Sequence, residues 1–167
     1  MTLPLDVPDA ATCFVDSNIL YYALVPTAGI SGPCVALLER AIAGRISVSV
    51  SIPVLSDVLH KVMTSEAAQL TGRDRAGMVG YLGRHPELIA TLKEYPQAME
   101  RLSAVPMTVL PVDDQLLRQA ARIAIAHGLL TNDAMIVALM QRHQVTHLAT
   151  NDDDFKNVPG LTIWMPR

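Results

Sequence analysis

Three consecutive aspartates, Asp152, Asp153 and Asp154, lie in the segment 150–155, which directly follows the largely apolar segment 146–149 that predicts a short strand. Carboxylates placed this close repel one another, so either water solvates them in a turn or a cation holds them together. A second segment has the same arrangement, because residues 12–15 predict a strand and Asp16 follows them. Two strands that each end in an acid indicate one acidic pocket.

The elements that must position these acids alternate between strands and helices. Strands are predicted at residues 12–15, 46–50, 108–110, 147–150 and 161–164, and the main helices at residues 31–43, 52–63, 67–82, 113–127 and 133–143. This alternation predicts an α/β fold, a three-layer α/β/α sandwich with a central parallel sheet of four or five strands. We see no repeat or linker, so we expect one domain over residues 1–167. Ligands of such folds bind beyond the carboxyl ends of the strands.

Two further aspartates are predicted to lie at the same edge of the sheet. Asp57 lies about two turns into the helix predicted at 52–63, and Asp133 lies in the first turn of the helix predicted at 133–143. Four or five converging carboxylates without a matching set of basic residues suit a hard cation that prefers oxygen ligands, Mg²⁺ or Mn²⁺. Such an ion lowers the pKa of bound water and clamps a phosphate oxygen, which is the chemistry of phosphodiester hydrolysis.

Composition narrows the class of protein. Half of the 167 residues are hydrophobic and only 17% are charged, which argues against disorder. The net charge of −3 argues against a general nucleic-acid coat protein but is compatible with a nuclease that binds RNA through metal and a few arginines. No apolar segment approaches the roughly 18 residues that a membrane span needs. With no signal-peptide pattern in residues 1–11, we expect a cytoplasmic protein without a membrane partner.

Three motifs, in this order and spacing, carry a resemblance that covers nearly the whole chain. They are Val15–Leu20 (VDSNIL), Leu130–Ala134 (LTNDA) and Leu148–Phe155 (LATNDDDF). With them the sequence resembles the PIN-domain ribonuclease family, in particular the VapC-type toxins of bacterial toxin–antitoxin pairs. The resemblance implies a PIN-like fold and a Mg²⁺- or Mn²⁺-dependent endoribonuclease. It also implies a homodimer, and a small antitoxin partner whose peptide covers the acidic pocket.

The resemblance also assigns residues. It implies that Asp16, Asp133 and Asp152 bind the metal, with Asp154 nearby and with Ser17 and Asn18 as supporting groups. The family usually has a glutamate on the helix after the second strand, where this chain has Asp57. Because an aspartate reaches one methylene less far, Asp57 is expected to act as an outer ligand or to orient water.

Each acid also has a purely structural interpretation. Asp16 could cap the following helix, although Ser17 or Asn18 could do so without it, and Asp57 could form an exposed ion pair with Lys61 four residues on. Asp133 could simply complement the dipole of its own helix.

The function likewise has alternatives to an endoribonuclease. The chain could be a catalytically degenerate PIN-like interaction module for protein or RNA, or an enzyme acting on a small phosphorylated substrate. The arginines of residues 64–105 could form a positive rim or merely a solvated helical face: Arg73, Arg75, Arg84 and Arg101.

Overall fold

The computed structural model describes residues 2–166; Met1 and Arg167, the ends of the predicted domain, lie outside the described residues. Its centre is a six-stranded, wholly parallel sheet. In chain order the strands are β1 (Thr2–Pro4), β2 (Thr12–Val15), β3 (Ser47–Ser51), β4 (Met107–Leu110), β5 (His147–Ala149) and β6 (Thr162–Met165). In space their order is β1-β6-β5-β2-β3-β4.

Eight α-helices and one 3₁₀-helix connect the described strands. They are α1 (Ser17–Leu24), α2 (Ser31–Ile42), α3 (Ile52–Thr71), α4 (Met78–Arg84), α5 (Pro86–Ile89), α6 (Glu94–Ser103), α7 (Asp114–His127), α8 (Thr131–Arg142) and the 3₁₀-helix Asp153–Asn157. The predicted α/β/α sandwich and its five predicted strands are confirmed. The edge strand Thr2–Pro4 extends the sheet to six, and its three residues carry no sequence pattern that would have predicted it.

One predicted helix boundary is wrong. A helix was expected to end near Met63 and another to run over residues 67–82, but α3 continues without a break to Thr71. It stops at Gly72, whose φ of 65° is a left-handed conformation that glycine adopts without steric cost. The next helix starts only at Met78, so residues 72–77 form a loop at the C-terminal end of α3.

The order of the strands divides the helices into two groups. From β2 to β4 the chain steps in one direction across the sheet, and from β4 to β5 it returns past two strands. Since parallel crossovers are right-handed, the helices of the outward steps cover one face and those of the return step the other. Helices α1, α2, α3 and α6 accordingly contact one another, while α7 packs on α8.

The central strands are buried on both faces, as parallel sheets require. Cys13, Phe14 and Val15 of β2 and Leu148 and Ala149 of β5 have no exposed surface. The helix α8 is sandwiched so tightly that seven consecutive residues, Ala134–Met140, are buried. No single helix in the described part of the chain is long and apolar enough to cross a membrane, and α7 with α8 passes that test only as a pair bent by 112°.

Candidate metal centre

Asp16 stands at the carboxyl end of β2 and is itself the N-cap of α1. The expectation that Ser17 or Asn18 could cap this helix in its place is therefore wrong. The Asp16 side chain is 6% exposed, and one of its oxygens accepts hydrogen bonds from the backbone N–H and the hydroxyl of Ser17. Burial raises the pKa of this carboxyl, and the donors around it together with the charge of Lys61 oppose that rise.

The other oxygen of Asp16 connects two neighbouring strands. It accepts a hydrogen bond from Thr150 Oγ1 at 2.7 Å and another from the amide of Asn18. Thr150 follows β5, whose Ala149 is paired in register with Val15 of β2. Asn18 adds a second link, because its Oδ1 accepts the backbone N–H of Asn151 at 2.8 Å. The first carboxylate is thus held rigidly where β2 and β5 end side by side.

The acidic segment after β5 begins the 3₁₀-helix. Asp152 is its N-cap and accepts the backbone N–H of Asp154 at 2.9 Å, and the Asp152 N–H in turn binds Thr150 Oγ1 at 3.0 Å. Asp153 is exposed and forms an ion pair with Lys156 at 2.7 Å. Asp152 therefore lines the pocket, whereas Asp153 lies at the surface.

Asp133 lies in the first turn of α8, which starts from the opposite group of helices. This helix begins at Thr131, two residues before its predicted start at Asp133, and its N-cap is Leu130. Burial, followed by the charges of Asp16, Asp152 and Asp154, raises the pKa of Asp133 to about 6, against the weaker opposing charge of Lys61. The carboxylates of this pocket therefore repel one another strongly when no cation is bound.

Three carboxylates approach closely enough to share one ion. One oxygen each from Asp133, Asp152 and Asp154 lies within 4.8 Å of the other two. Asp16 and Asp57 are outside this triplet, although the charge of Asp16 is felt at Asp133. The donor set is purely carboxylate oxygen, which fits Mg²⁺ or Mn²⁺ and not the nitrogen and sulfur ligands of a structural zinc site.

Asp57 is engaged by a cation and a hydroxyl. Its Oδ2 lies 2.8 Å from the Lys61 ammonium and accepts the Ser17 hydroxyl at 2.6 Å, and the same ammonium lies 2.7 Å from Ser17 Oγ. Burial alone would raise the pKa of Asp57, but the hydrogen bonds from Lys61 and Ser17 outweigh it and lower that pKa. The predicted ion pair with Lys61 thus exists, and it lies within the site.

These groups surround an open cavity of about 350 Å³ lined by Asp16, Asp57, Asp133 and Asp152. Lys61 is the one lysine or arginine among the described residues that line it. The N-terminal ends of α1, α3 and α8 also face the cavity, and helix N-termini carry partial positive charge that favours anions. The cavity can therefore hold a cation at its carboxylates and an anionic group beside it.

Sequence reasoning missed two residues of this site. Thr150 positions Asp16 from the neighbouring strand, and its place directly before the acidic segment was the available signal. Lys61 was considered only as an exposed partner of Asp57, whereas its contact with Ser17 joins residues 44 positions apart. No local pattern in the sequence reports such a contact.

The family model for the PIN domain matches residues 13–161 of this chain. That range contains every acidic residue of the site, from Asp16 on β2 to Asp154 in the 3₁₀-helix. The chain therefore belongs to the PIN domain family, as its motifs indicate.

Similar proteins agree with this assignment. Ribonuclease VapC6 of Methanocaldococcus jannaschii is 26% identical over 127 residues, which are 76% of this chain and 82% of that protein. A toxin–antitoxin complex from Klebsiella pneumoniae contains a chain with a TM-score of 0.57 and 18% identity, covering 93% of this chain and 98% of its own. VapC20 of Mycobacterium tuberculosis, a sarcin–ricin loop cleaving toxin, has a TM-score of 0.56 and 18% sequence identity, and the match covers 88% of this chain and 95% of that chain. At these identities the solved structures establish the fold.

Proposed function

We propose that this protein is a divalent-metal-dependent endoribonuclease and that residues 1–167 form one PIN-like domain. The observation that carries the proposal is the convergence of Asp133, Asp152 and Asp154 on one point. The charge of Asp16 acts on Asp133 from the same pocket. Membership of the PIN family and the similarity to a protein named a ribonuclease support RNA as the substrate class.

The metal proposed for the pocket is Mg²⁺ or Mn²⁺. Asp16, Asp133, Asp152 and Asp154 would hold it, since the charges of the other three add to burial in raising the Asp133 pKa and a cation would relieve that repulsion. When bound, such an ion supplies a Lewis acid for a phosphate oxygen and lowers the pKa of water.

The remaining residues of the site position these acids. Thr150 and Asn18 hold Asp16 in one orientation, so that its charge stays directed at the pocket. Ser17 and Lys61 hold Asp57, whose short side chain we propose as an orienter of water or an outer ligand in place of the usual glutamate. The N-terminal ends of α1, α3 and α8 favour the approach of the phosphate.

We further propose that the protein is the toxin of a toxin–antitoxin pair, working as a homodimer in the cytoplasm. Support comes from the solved relatives, which include a toxin–antitoxin complex and VapBC2 of Rickettsia felis bound to a promoter DNA fragment. The two cysteines, Cys13 and Cys34, are buried and free, which suits a reducing compartment. Light scattering of the purified protein, alone and with a co-expressed small partner, tests the assembly.

The test of the enzymatic function is cleavage of end-labelled RNA with Mg²⁺, with Mn²⁺ and with EDTA. The wild-type protein should cut internally only when the metal is present, and Asp16→Asn should lower the rate at least about a thousandfold, a typical scale for loss of an essential group. Asp114→Asn, at an acid that is 82% exposed on α7, is the matched control and should cleave normally. Metal-independent cleavage, or full activity of a folded Asp16→Asn protein, would overturn the proposal. A folded wild-type protein that cleaves no RNA with either metal would favour the degenerate interaction module.

A further inference from the structure

Three arginines without acidic partners lie close together in the sequence at the far end of α3. We call Arg73, Arg75 and Arg84 the arginine surface; all three are exposed. Arg40, Arg45, Arg101, Arg118 and Arg142 each pair with an aspartate or glutamate, whereas no ion pair among the described residues involves the arginine surface. Asp74, the acid beside them, accepts instead the backbone N–H of Ala76 at 3.1 Å. Positive charge is thus left available there.

Aromatic rings hold two of these guanidinium groups in place. Arg73 lies 4.3 Å from the centroid of the Tyr81 ring, and Arg75 lies 5.2 Å from that of Tyr21 and donates to its hydroxyl at 3.2 Å. Arg73, Tyr81 and Arg84 also line one open concavity of about 370 Å³. Stacked arginines have less rotamer freedom to lose when they bind an anion, since the ring has already restricted them.

A row of contacts between α1 and α3 connects this surface with the acidic pocket. At the pocket, Ser17 of α1 meets Lys61 of α3, and one turn further along both helices the Tyr21 hydroxyl lies 3.0 Å from Ser65 Oγ. One turn of helix advances by about 5.4 Å. Arg75 reaches the same Tyr21 hydroxyl from the loop after α3. The cations Lys61 and Arg75 therefore follow one another along the seam of the two helices.

We propose that the arginine surface binds the phosphate backbone of the RNA strand on one side of the bond that is cut. This inference rests on the proposed function and adds to it the path of the substrate. A strand whose phosphate enters the acidic pocket experiences repulsion from its carboxylates. Arginine pairs with phosphate through two parallel N–H donors, and three such residues beyond Tyr21 add attraction to that of Lys61 and the helix N-termini at the pocket.

The experiment measures binding of a fluorescently labelled single-stranded RNA to the full chain by anisotropy, in the Asp16→Asn background so that the RNA stays intact. The double substitution Arg73→Gln/Arg84→Gln removes two charges and spares Arg75, which contacts the α1–α3 seam. Its matched control, Arg118→Gln/Arg122→Gln, removes two charges from α7 in the other helix group. Each protein is titrated at several salt concentrations, and KM for cleavage is measured with Asp16 intact.

The arginine surface predicts that Arg73→Gln/Arg84→Gln weakens RNA binding about tenfold. It should also lower the slope of log K against log salt by about 1.4, since each phosphate contact on a single strand contributes about 0.7. KM should rise while kcat stays near that of the control. An unchanged affinity and KM, or an equal loss in the α7 control, would each overturn this assignment.

These experiments distinguish an error in the role assigned to the arginine surface from an error in the proposed ribonuclease function. If the wild-type protein cleaves RNA and the two double variants do so with the same KM, the function stands and the arginine surface is wrong. If the wild-type protein neither cleaves nor binds RNA in the presence of Mn²⁺, the proposed function is wrong and the surface has no substrate to bind.

Discussion

Two carboxylates that are removed from solvent to different degrees can be compared: Glu66 of α3 is buried beside the start of α6, and Asp133 of α8 is half-buried in the acidic pocket. Glu66 accepts the backbone N–H groups of Lys93, Glu94 and Tyr95 at 2.6, 3.0 and 2.9 Å, and thereby fixes the start of α6. Burial opposes ionisation of Glu66, yet these three donors lower its pKa. Burial, followed by the charges of three other acids, raises the pKa of Asp133 to about 6.

The opposite pKa shifts of the two residues distinguish a carboxylate that stabilises the fold, Glu66, from one that is available to bind a ligand, Asp133. Glu66 has its hydrogen-bonding partners within the chain, so its charge is balanced on folding. The charges around Asp133 are balanced only if a cation arrives, and strongly perturbed carboxylates of this kind are characteristic of functional sites. Substitutions in the two regions should therefore have opposite consequences for stability and for metal binding.

The largest expected effect on folding is that of Glu66→Ala. It leaves three N–H groups at the start of α6 without their charged acceptor, and we expect the free energy of unfolding to fall by about 3 kcal/mol. Urea denaturation measures this loss, with Glu100→Ala, an exposed acid on α6, as the control. Mn²⁺ affinity of the folded variant should be unchanged. A stability loss below about 1 kcal/mol would remove the contrast between the two regions.

The second largest effect that we expect is a pH dependence of the free energy of unfolding of the metal-free protein. Because the folded-state pKa of Asp133 is near 6 and its ordinary value is 3.8, the folded protein keeps a proton that the unfolded chain has lost between these values. Unfolding then releases a proton, so this group lowers the free energy of unfolding as the pH rises from about 4 to about 6. Partial exposure screens the full effect of roughly 3 kcal/mol to about 1–2 kcal/mol.

Asp133→Asn isolates that contribution. The variant should be more stable than the wild-type protein at pH 7 in EDTA, and the difference should disappear as the pH falls below 3.8, where Asp133 is protonated in the folded and the unfolded protein alike. Glu66 works in the opposite sense, since its lowered pKa gives stability that is lost only as the pH falls through that pKa. A difference between the wild-type protein and Asp133→Asn that is constant from pH 4 to pH 7 would contradict the pKa assigned to Asp133.

The smallest expected effect concerns Lys61. Lys61→Met removes the cation that holds Ser17 and Asp57, and we expect cleavage to fall about tenfold, less than the 10²–10⁴-fold that a general acid–base group contributes. Metal affinity should rise about threefold, because a positive charge has left the pocket. Lys93→Met, an exposed lysine outside the site, is the control. A parallel loss of metal affinity and cleavage would show that Lys61 only supports the fold.

Much of the fold follows from local sequence patterns. The strands β2, β3, β5 and β6 are short apolar segments bounded by turn residues, and α7 has an aspartate cap, an apolar face and Gly128 at its end. The length of α3 was not predictable in the same way, because burial of Ala67 and Ala68 against the second hydrophobic cluster, which includes Met78 and Leu82, outweighs local helix preferences. The strand β1 depends on pairing with β6 at the other end of the chain.

The sequence predicts which acidic residues form the site, but not the side-chain contacts that hold them. Asp16 and Asp152 follow apolar strands, and parallel strands place such residues at one edge of the sheet, so their proximity follows from the pattern. Thr150 and Lys61 act through partners 134 and 44 positions away, and only the packed structure brings those partners together. Whether Asp57 serves as fully as a glutamate depends on these same contacts.

The most direct test of the account is a calorimetric titration of Mn²⁺ into the wild-type protein, Asp133→Asn and the control Asp114→Asn. If the carboxylates form a metal centre, the wild-type protein and the control should bind Mn²⁺ saturably. The dissociation constant of Asp133→Asn should be at least about tenfold larger, which is a loss of about 1.4 kcal/mol of binding free energy. The same titration of the wild-type protein with an uncleavable RNA analogue covers a site that substrate phosphates complete. Equal affinity in all three proteins, or no saturable binding with or without RNA, would contradict the claim that these carboxylates form a metal centre.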